Sequence, residues 1–245
     1  MNLDRVIAVR NDKTVYKDGD RCVKVFNAEY DKADVINEAL NQARVEQTGL
    51  NVPKVLGVGV IDGKWAISSE YVKGKTLDYL IAENPQNKTE YLSLLVTLQK
   101  DVHQKNCPLL SRLKDKTKKK ILSSGLEKSV CDNLVLKVES LDTDQGLCHG
   151  DFNPSNVIVD ENKKAYIIDW SHATQGDIYL DVACTYLLFL LNGDQESAQF
   201  YIDQYCQNNQ QKQKILALVP IVAGAKYSKA NQKAKEIIKS WLNKA

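Results

Sequence analysis

The chain has no Cys-x-x-C pair: its six cysteines, at 22, 107, 131, 148, 184 and 206, are scattered. That spacing excludes a zinc ribbon and a small disulfide scaffold, and it suits reduced, mostly buried thiols in a cytoplasmic protein. An excess of either charge sign is also missing. A formal net charge of +2 over 245 residues gives no basis for a general nucleic-acid binder, although lysines cluster locally, as in Lys114 to Lys120. No apolar run is long enough to span a bilayer; the longest, Val182 to Leu191, is interrupted by Thr185. Met1 to Thr14 holds no apolar core of signal-peptide length. There are no internal repeats and no low-complexity linkers. What remains is a globular chain long enough for one large domain or two lobes, expected in the cytoplasm as a monomer or weak dimer.

One stretch concentrates chemistry. From Leu147 to Ser171 the chain reads LCHGDFNPSNVIVDENKKAYIIDWS, with Asp151 and Asn156 in a loop around Pro154. Val157 to Val159 then forms a short β-branched run, a polar turn follows from Asp160 to Lys164, and Ala165 to Ile168 returns as a second strand. Antiparallel neighbours joined by a tight turn bring their outer ends together, so the hairpin carries Asp169 to the end that holds Asn156. A carboxylate and an amide there are hard oxygen donors of the kind Mg²⁺ accepts beside the phosphates of a nucleotide. Asp151 is left to orient or deprotonate a substrate hydroxyl. His149, two residues earlier, reads as a brace for the loop. A metal-dependent phosphohydrolase built on His149, Asp151, Asp169 and His172 is the competing metal reading, and it leaves Asn156 unused.

His-Gly-Asp-x-x-x-x-Asn followed by Ile-Ile-Asp-Trp resembles the aminoglycoside phosphotransferase and choline kinase group, small-molecule kinases similar in fold to protein kinases. The resemblance implies a bilobal α+β protein-kinase-like fold, with a small antiparallel sheet and one helix in residues 1–73 and a mainly helical lobe in 74–245. It also implies the roles: Asp151 catalytic, Asn156 and Asp169 on Mg²⁺, and ATP as phosphoryl donor, with GTP as the other candidate. Trp170, where protein kinases have phenylalanine, favours the small-molecule branch.

The rest of the chain follows the same pattern. Val6 to Val9, Thr14 to Lys17 and Arg21 to Phe26 are three β-type runs separated by polar turns. The turn Arg10 to Thr14 contains no glycine, where protein kinases carry a glycine-rich loop over the phosphates. Lys24, in Val23-Lys24-Val25, stands at the position of the lysine that reaches the α- and β-phosphates. Its implied partner lies on a helix from about Asp31 to Thr48, whose stripe is Ala33, Ile36, Leu40 and Ala43 and which Gly49 ends. Glu38 is that partner, with Glu46 and Glu29 as alternatives. Gly57 and Gly59 do not make a dinucleotide fingerprint, because a strand and not a helix follows them. Ser69 to Leu77 resembles the kinase hinge, which gives Glu70 and Val72 backbone contacts with the adenine.

Helices are expected over Thr89 to Gln104, Leu126 to Leu141, Val182 to Leu191, Gln195 to Cys206, Gln211 to Ala223 and Tyr227 to Trp241, with His103 structural. Asp142 and Asp144 lack the remaining ligands of a calcium loop. Asp181 heads a buried helix and is expected to hold the catalytic-loop backbone. The acceptor is a small molecule bearing a hydroxyl. From Tyr201 onward the acids are only Asp203 and Glu236 among many lysines. A polycationic aminoglycoside would want carboxylates there, so sugars or amino alcohols are favoured; Tyr186, Tyr201, Tyr205, Tyr227 and Trp241 are the candidates for an aromatic cage around choline. The competing class is a catalytically silent, nucleotide-binding kinase fold that acts through a partner.

Overall fold

The computed structural model describes residues 3–141 and 146–243, so Asp142 and Asp144 lie outside the described residues. Short β-branched runs broken by polar turns build the first sheet. β1 (Arg5–Val9), β2 (Lys13–Asp18) and β3 (Arg21–Phe26) form an antiparallel meander, followed by α1 (Lys32–Glu46). β4 (Val55–Ile61) and β5 (Lys64–Glu70) complete the sheet in the order β1-β2-β3-β5-β4. Asp62 and Gly63 between β4 and β5 both have positive φ, 48° and 75°, as a two-residue hairpin turn matching the strand twist requires.

The α1 stripe is not the expected one. Ile36 and Leu40 are each 43% exposed and Ala33 is on the surface, whereas Val35, Glu38, Ala39, Asn41, Gln42 and Val45 are buried. Hydrophobic spacing alone chose the wrong face. Val35 and Ala39 pack on Phe26 and Ile67, and the polar members of the stripe have partners: Glu38 meets Lys24, and Gln42 Nε2 donates to the Pro53 carbonyl at 2.6 Å. Val35, Ala39 and Val45 bury apolar surface on this face, and the partners of Glu38 and Gln42 offset the cost of burying those polar groups beside them. Asp31 caps the helix through the Ala33 N–H, and Gly49 lies just past its end with φ of 79°.

A short strand, β6 (Gly74–Thr76), precedes α2 (Leu77–Glu83), α3 (Lys88–His103), α4 (Leu113–Leu122), α5 (Lys128–Glu139) and β7 (Gly146–Cys148). The hairpin β8 (Val157–Asp160) and β9 (Ala165–Ile167) comes next, and β6 pairs with its first strand to make a three-stranded sheet. β10 (Thr174–Gly176) pairs with β7, and the chain finishes with α6 (Ile178–Leu191), α7 (Gln195–Tyr205), α8 (Asn209–Leu216), α9 (Val219–Lys226) and α10 (Gln232–Leu242). Where one helix was expected over Gln211 to Ala223 there are two. Pro220 lacks a donor and is tolerated only in a first turn, so the chain ends α8 and starts again at Val219. The last expected helix likewise starts late, at Gln232, where the Asn231 side chain accepts the Ala234 N–H.

The chain packs as two compact units: one runs up to Leu80 and includes Ser155–His172, and the other holds Ile81–Pro154 and the chain from Ala173 onward. This differs from a division at 73/74, because β8 is hydrogen-bonded to β6 and carries β9 with it. The core of the second unit includes Leu92, Leu95, Val96 and Val102 of α3 and most of α6. Tyr201 and Tyr205 are buried in it. No helix among the described residues is long and apolar enough to cross a membrane.

Candidate active site

In the first unit, strand alternation puts Val23 and Val25 on one face of β3 with Ala66, and Lys24 on the other with Phe26, toward α1. Lys24 Nζ lies 2.7 Å from Glu38 Oε1 and 3.4 Å from Asp169 Oδ1, and Glu38 is only 3% exposed. Burial disfavours the ammonium, but the carboxylates of Asp169 and Glu38 outweigh it and hold the Lys24 pKa above the ordinary lysine value. The other glutamates are elsewhere: Glu46 accepts the Val55 N–H at 2.7 Å, and Glu29 is exposed.

A second lysine, not foreseen from the sequence, joins them. Lys13 is 9% exposed, and its Nζ lies 3.5 Å from both Asp169 Oδ2 and Glu38 Oε2. Strand β2 begins with this residue, one position before the β-type run expected from Thr14. Extending the alternation of β2 back by one residue would have found it, since Lys13 shares a face with Val15, and Val15 is paired with Lys24.

The hairpin explains how Asn156 and Asp169 meet. Val157 is paired with Ile167, and the Ile168 N–H donates to the Asn156 carbonyl at 2.9 Å, which brings the residues just outside the ladder to one end. Asn156 is buried. Asp169 has φ of 63°, a left-handed conformation that aspartate tolerates better than most residues and that turns the chain sharply at the site. Immediately after it, the Trp170 indole N–H donates to the Ile167 carbonyl at 3.1 Å from full burial, which fixes the turn.

The loop that carries Asp151 lies in the second unit on a buried carboxylate. Asp181, in the first turn of α6, accepts the N–H of Gly150 at 2.7 Å and of His149 at 3.2 Å, together with Gln99 Nε2 at 3.2 Å and His103 Nε2 at 3.0 Å. Because a carboxylate only accepts, His103 Nε2 carries a proton; in the neutral ring Nδ1 then accepts the Tyr205 O–H at 2.7 Å. Burial works against the Asp181 charge, yet the bond from His103 and the other donors hold its pKa below the usual carboxylate value. His149 is fully buried, edge-on to Phe152 at 5.5 Å, and its Nδ1 accepts the Asp151 N–H at 3.3 Å. Asn153 Nδ2 donates to the Asp151 carbonyl at 2.8 Å. The loop is thus held mostly through its backbone, and Asp151 is half-exposed.

Lysines surround that aspartate. Lys226, at the end of α9, has Nζ 3.8 Å from Asp151 Oδ1. Burial opposes its charge, but Cys184 and Asp151 more than compensate and raise its pKa. The Cys184 thiol, itself pushed up by burial, is neutral near pH 7, so the carboxylate is the partner that counts there. Lys120 on α4 is pushed the other way, by burial and then by the charge of Lys226, with Lys229 adding to it.

Glu70 closes β5, with its N–H bonded to the Lys54 carbonyl at 2.9 Å and its carboxylate accepting the Lys54 N–H at 3.1 Å. The Tyr71 N–H donates to the Asp20 carbonyl at 2.9 Å, whereas the Val72 N–H has no partner among the described residues. Asn156 and Asp169 offer an amide and a carboxylate, a donor set that fits Mg²⁺, which takes one or two carboxylates and otherwise phosphate oxygens and water. Among the described residues no three or more His, Cys, Asp or Glu side chains are grouped to hold a metal.

The sequence profile of the Phosphotransferase enzyme family (APH) matches residues 6–218. No curated protein sequence matches the chain at a significant level. Among solved structures, aminoglycoside phosphotransferase APH(4)-Ia superposes with a TM-score of 0.72 at 15% identity, covering 99% of this chain and 92% of that one. Choline kinase LicA from Streptococcus pneumoniae gives 0.64 at 15% identity, covering 100% and 94%, and a choline/ethanolamine kinase family protein from Mesorhizobium loti gives 0.65 at 13% identity, covering 99% and 88%. At these identities the likeness is one of fold.

Proposed function

Because the chain belongs to the Phosphotransferase enzyme family, we propose that this small-molecule kinase moves the γ-phosphoryl group of ATP to a hydroxyl of a sugar-like acceptor, with Mg²⁺. The observation that carries the reading is the Lys24–Glu38–Asp169 ion cluster beside the hairpin end that holds Asn156. Glu38, buried and 2.7 Å away, fixes the Lys24 ammonium where it can reach the α- and β-phosphates. Asn156 and Asp169 would hold Mg²⁺, which would supply positive charge against the phosphates during transfer. Glu70 and Val72 take the adenine edge through the backbone, and the Val72 N–H is the donor available for it. Asp151 orients the acceptor hydroxyl and receives its proton as the phosphoryl group transfers. His149 and Asp181 act through the loop and only position Asp151. Phosphoryl transfer asks little covalent chemistry of a protein, so these placements and charges are most of what catalysis needs. A supply of ATP places the reaction in the cytoplasm.

The acceptor side favours neutral or anionic sugars over cations. APH(4)-Ia has been crystallised with AMP-PNP and hygromycin B, but here Lys226 stands at Asp151, with Lys120 and Lys229 near enough to influence one another's charge. A polycation brought to Asp151 would meet ammonium groups of its own sign. Tyr201 and Tyr205, buried in the core, leave a choline cage with fewer members.

Thermal shift with ATP and with GTP, each with and without Mg²⁺, followed by a transfer screen over sugars, amino alcohols and aminoglycosides, tests this. A metal-dependent shift with transfer to a sugar is expected. Nucleotide binding with no transfer to any hydroxyl would turn the reading to a silent kinase fold, and transfer to aminoglycosides alone would overturn the acceptor class.

A further inference from the structure

We propose that Lys13 is a second phosphate-binding lysine, which holds the terminal phosphates of the nucleotide in place of the glycine-rich loop that this chain lacks. The inference rests on the nucleotide reading above and adds to it a residue and a mechanism.

A backbone phosphate cradle needs successive N–H groups turned to one point, which requires residues in left-handed or otherwise unusual conformations and is why glycine dominates such loops. The β1–β2 turn has neither feature. Residues 10–14 include no glycine, and none has a positive φ. The turn is also tied down: the Arg10 N–H donates to the Lys13 carbonyl at 2.9 Å, the Asn27 N–H to the Asp12 carbonyl at 2.9 Å, and Asn27 Nδ2 to the Asn11 carbonyl at 2.9 Å. Asp12 at its tip adds a negative charge, which repels phosphate. Such a turn needs a cation to hold a polyphosphate.

Lys13 supplies it in the right place. Lys13 is paired with Phe26 and Val15 with Lys24, so the two lysines emerge from one face of the β2–β3 ladder as diagonal neighbours, and both reach Asp169. Their bonding is unequal. Lys24 has one short contact, 2.7 Å to Glu38 Oε1, and is anchored. Among the described residues Lys13 has only 3.5 Å contacts with carboxylates, to Glu38 Oε2 and Asp169 Oδ2, and Glu38 Oε2 receives no hydrogen bond from them. A lysine present only to neutralise buried carboxylates would be expected to close on one of them, since a buried ion pair stabilises only when its geometry is good. Lys13 instead stands between two carboxylates, its Nζ 5.6 Å from the Phe26 ring centroid, where a phosphate oxygen can replace either of them as partner. With Asp169 engaged by a metal, Lys13 would lose one acceptor, and a phosphate oxygen would take its place.

Isothermal titration of ATP, ADP, AMP and adenosine, each with Mg²⁺, into the wild type and into the Lys13→Met and Lys13→Arg variants tests this. Met keeps the apolar stem against Phe26 and removes the charge. Lys13→Met is expected to weaken ATP by about ten- to a hundredfold, the size of one charge-assisted hydrogen bond, to weaken AMP less, and to leave adenosine unchanged; Lys13→Arg should recover most of the ATP affinity. Circular dichroism confirms that each variant is folded, and if Lys13→Met is not, the comparison of Lys13→Arg with Lys13→Gln serves instead. Equal ATP binding by wild type and the uncharged variant would overturn the proposal while leaving the nucleotide reading intact. No ATP binding by the wild type would remove that reading, and the proposal with it.

Discussion

At the scale of single residues the two aspartates of the site separate by what surrounds them. Asp169 is held in a left-handed turn beside two lysines, whereas Asp151 lies on a loop fixed through its backbone. Asp169→Ala is therefore expected to abolish Mg²⁺-dependent nucleotide binding, and Asp151→Asn to leave binding nearly unchanged while removing turnover by at least about a hundredfold. Calorimetric ATP binding beside turnover measurements decides it, and equal loss of binding in both variants contradicts the separation. Asp181 affects stability, with a defined pH sign. Its pKa is lowered by folding, so the stability it contributes is present above the unfolded value near ~4 and is lost as pH falls through the folded value. Asp181→Asn should cost about 3 kcal/mol at neutral pH, roughly 6–12 °C in Tm, and should flatten the acid limb of the stability curve. Melting curves from pH 7 to pH 3 show this, and parallel curves for variant and wild type would contradict it.

At the scale of elements, α1 shows how a pattern can be clear and still mislead. Its apolar residues give two plausible stripes, and the one with larger side chains, through Ile36 and Leu40, faces outward. The inner side instead buries Val35, Ala39 and Val45, and Glu38, Asn41 and Gln42 meet polar partners there that offset their burial. Urea unfolding should find Val35→Ala destabilising by about 2 kcal/mol, and Ile36→Lys and Leu40→Lys each within about 0.5 kcal/mol of wild type. Comparable losses at Ile36 would restore the stripe read from the sequence. The hairpin was legible for the opposite reason: two apolar runs around a polar turn pair as antiparallel neighbours, and the register places Asn156 and Asp169 at one end. Lys24 and Glu38 were found through the family pattern, whereas Lys13 belongs to no motif, and Lys226 is far from Asp151 in sequence, with no local signal for a helix end that returns to the loop.

At the scale of the whole molecule, all six cysteines are free, with Cys107, Cys131, Cys148 and Cys184 buried and Cys22 and Cys206 partly accessible. Burial raises the pKa of both accessible thiols, which slows their reaction with alkylating agents. Iodoacetamide at neutral pH is expected to label at most Cys22 and Cys206 in the native protein and every cysteine after unfolding, as read by peptide mass spectrometry. Native labelling of Cys148 would mean that the β7–β10 pair opens readily.

The sequence by itself determined the hairpin with Asn156 and Asp169 and the candidate Asp151, because each depends on neighbours in the chain whose spacing fixes local geometry, and the resemblance carried by that motif implied the family and the fold class. Tertiary structure alone decided which face of α1 turns inward, where the long helical runs break, and which cations gather at the two aspartates. Those outcomes depend on groups distant in sequence, where the cost of burying a polar or charged side chain is settled only by the partner it meets.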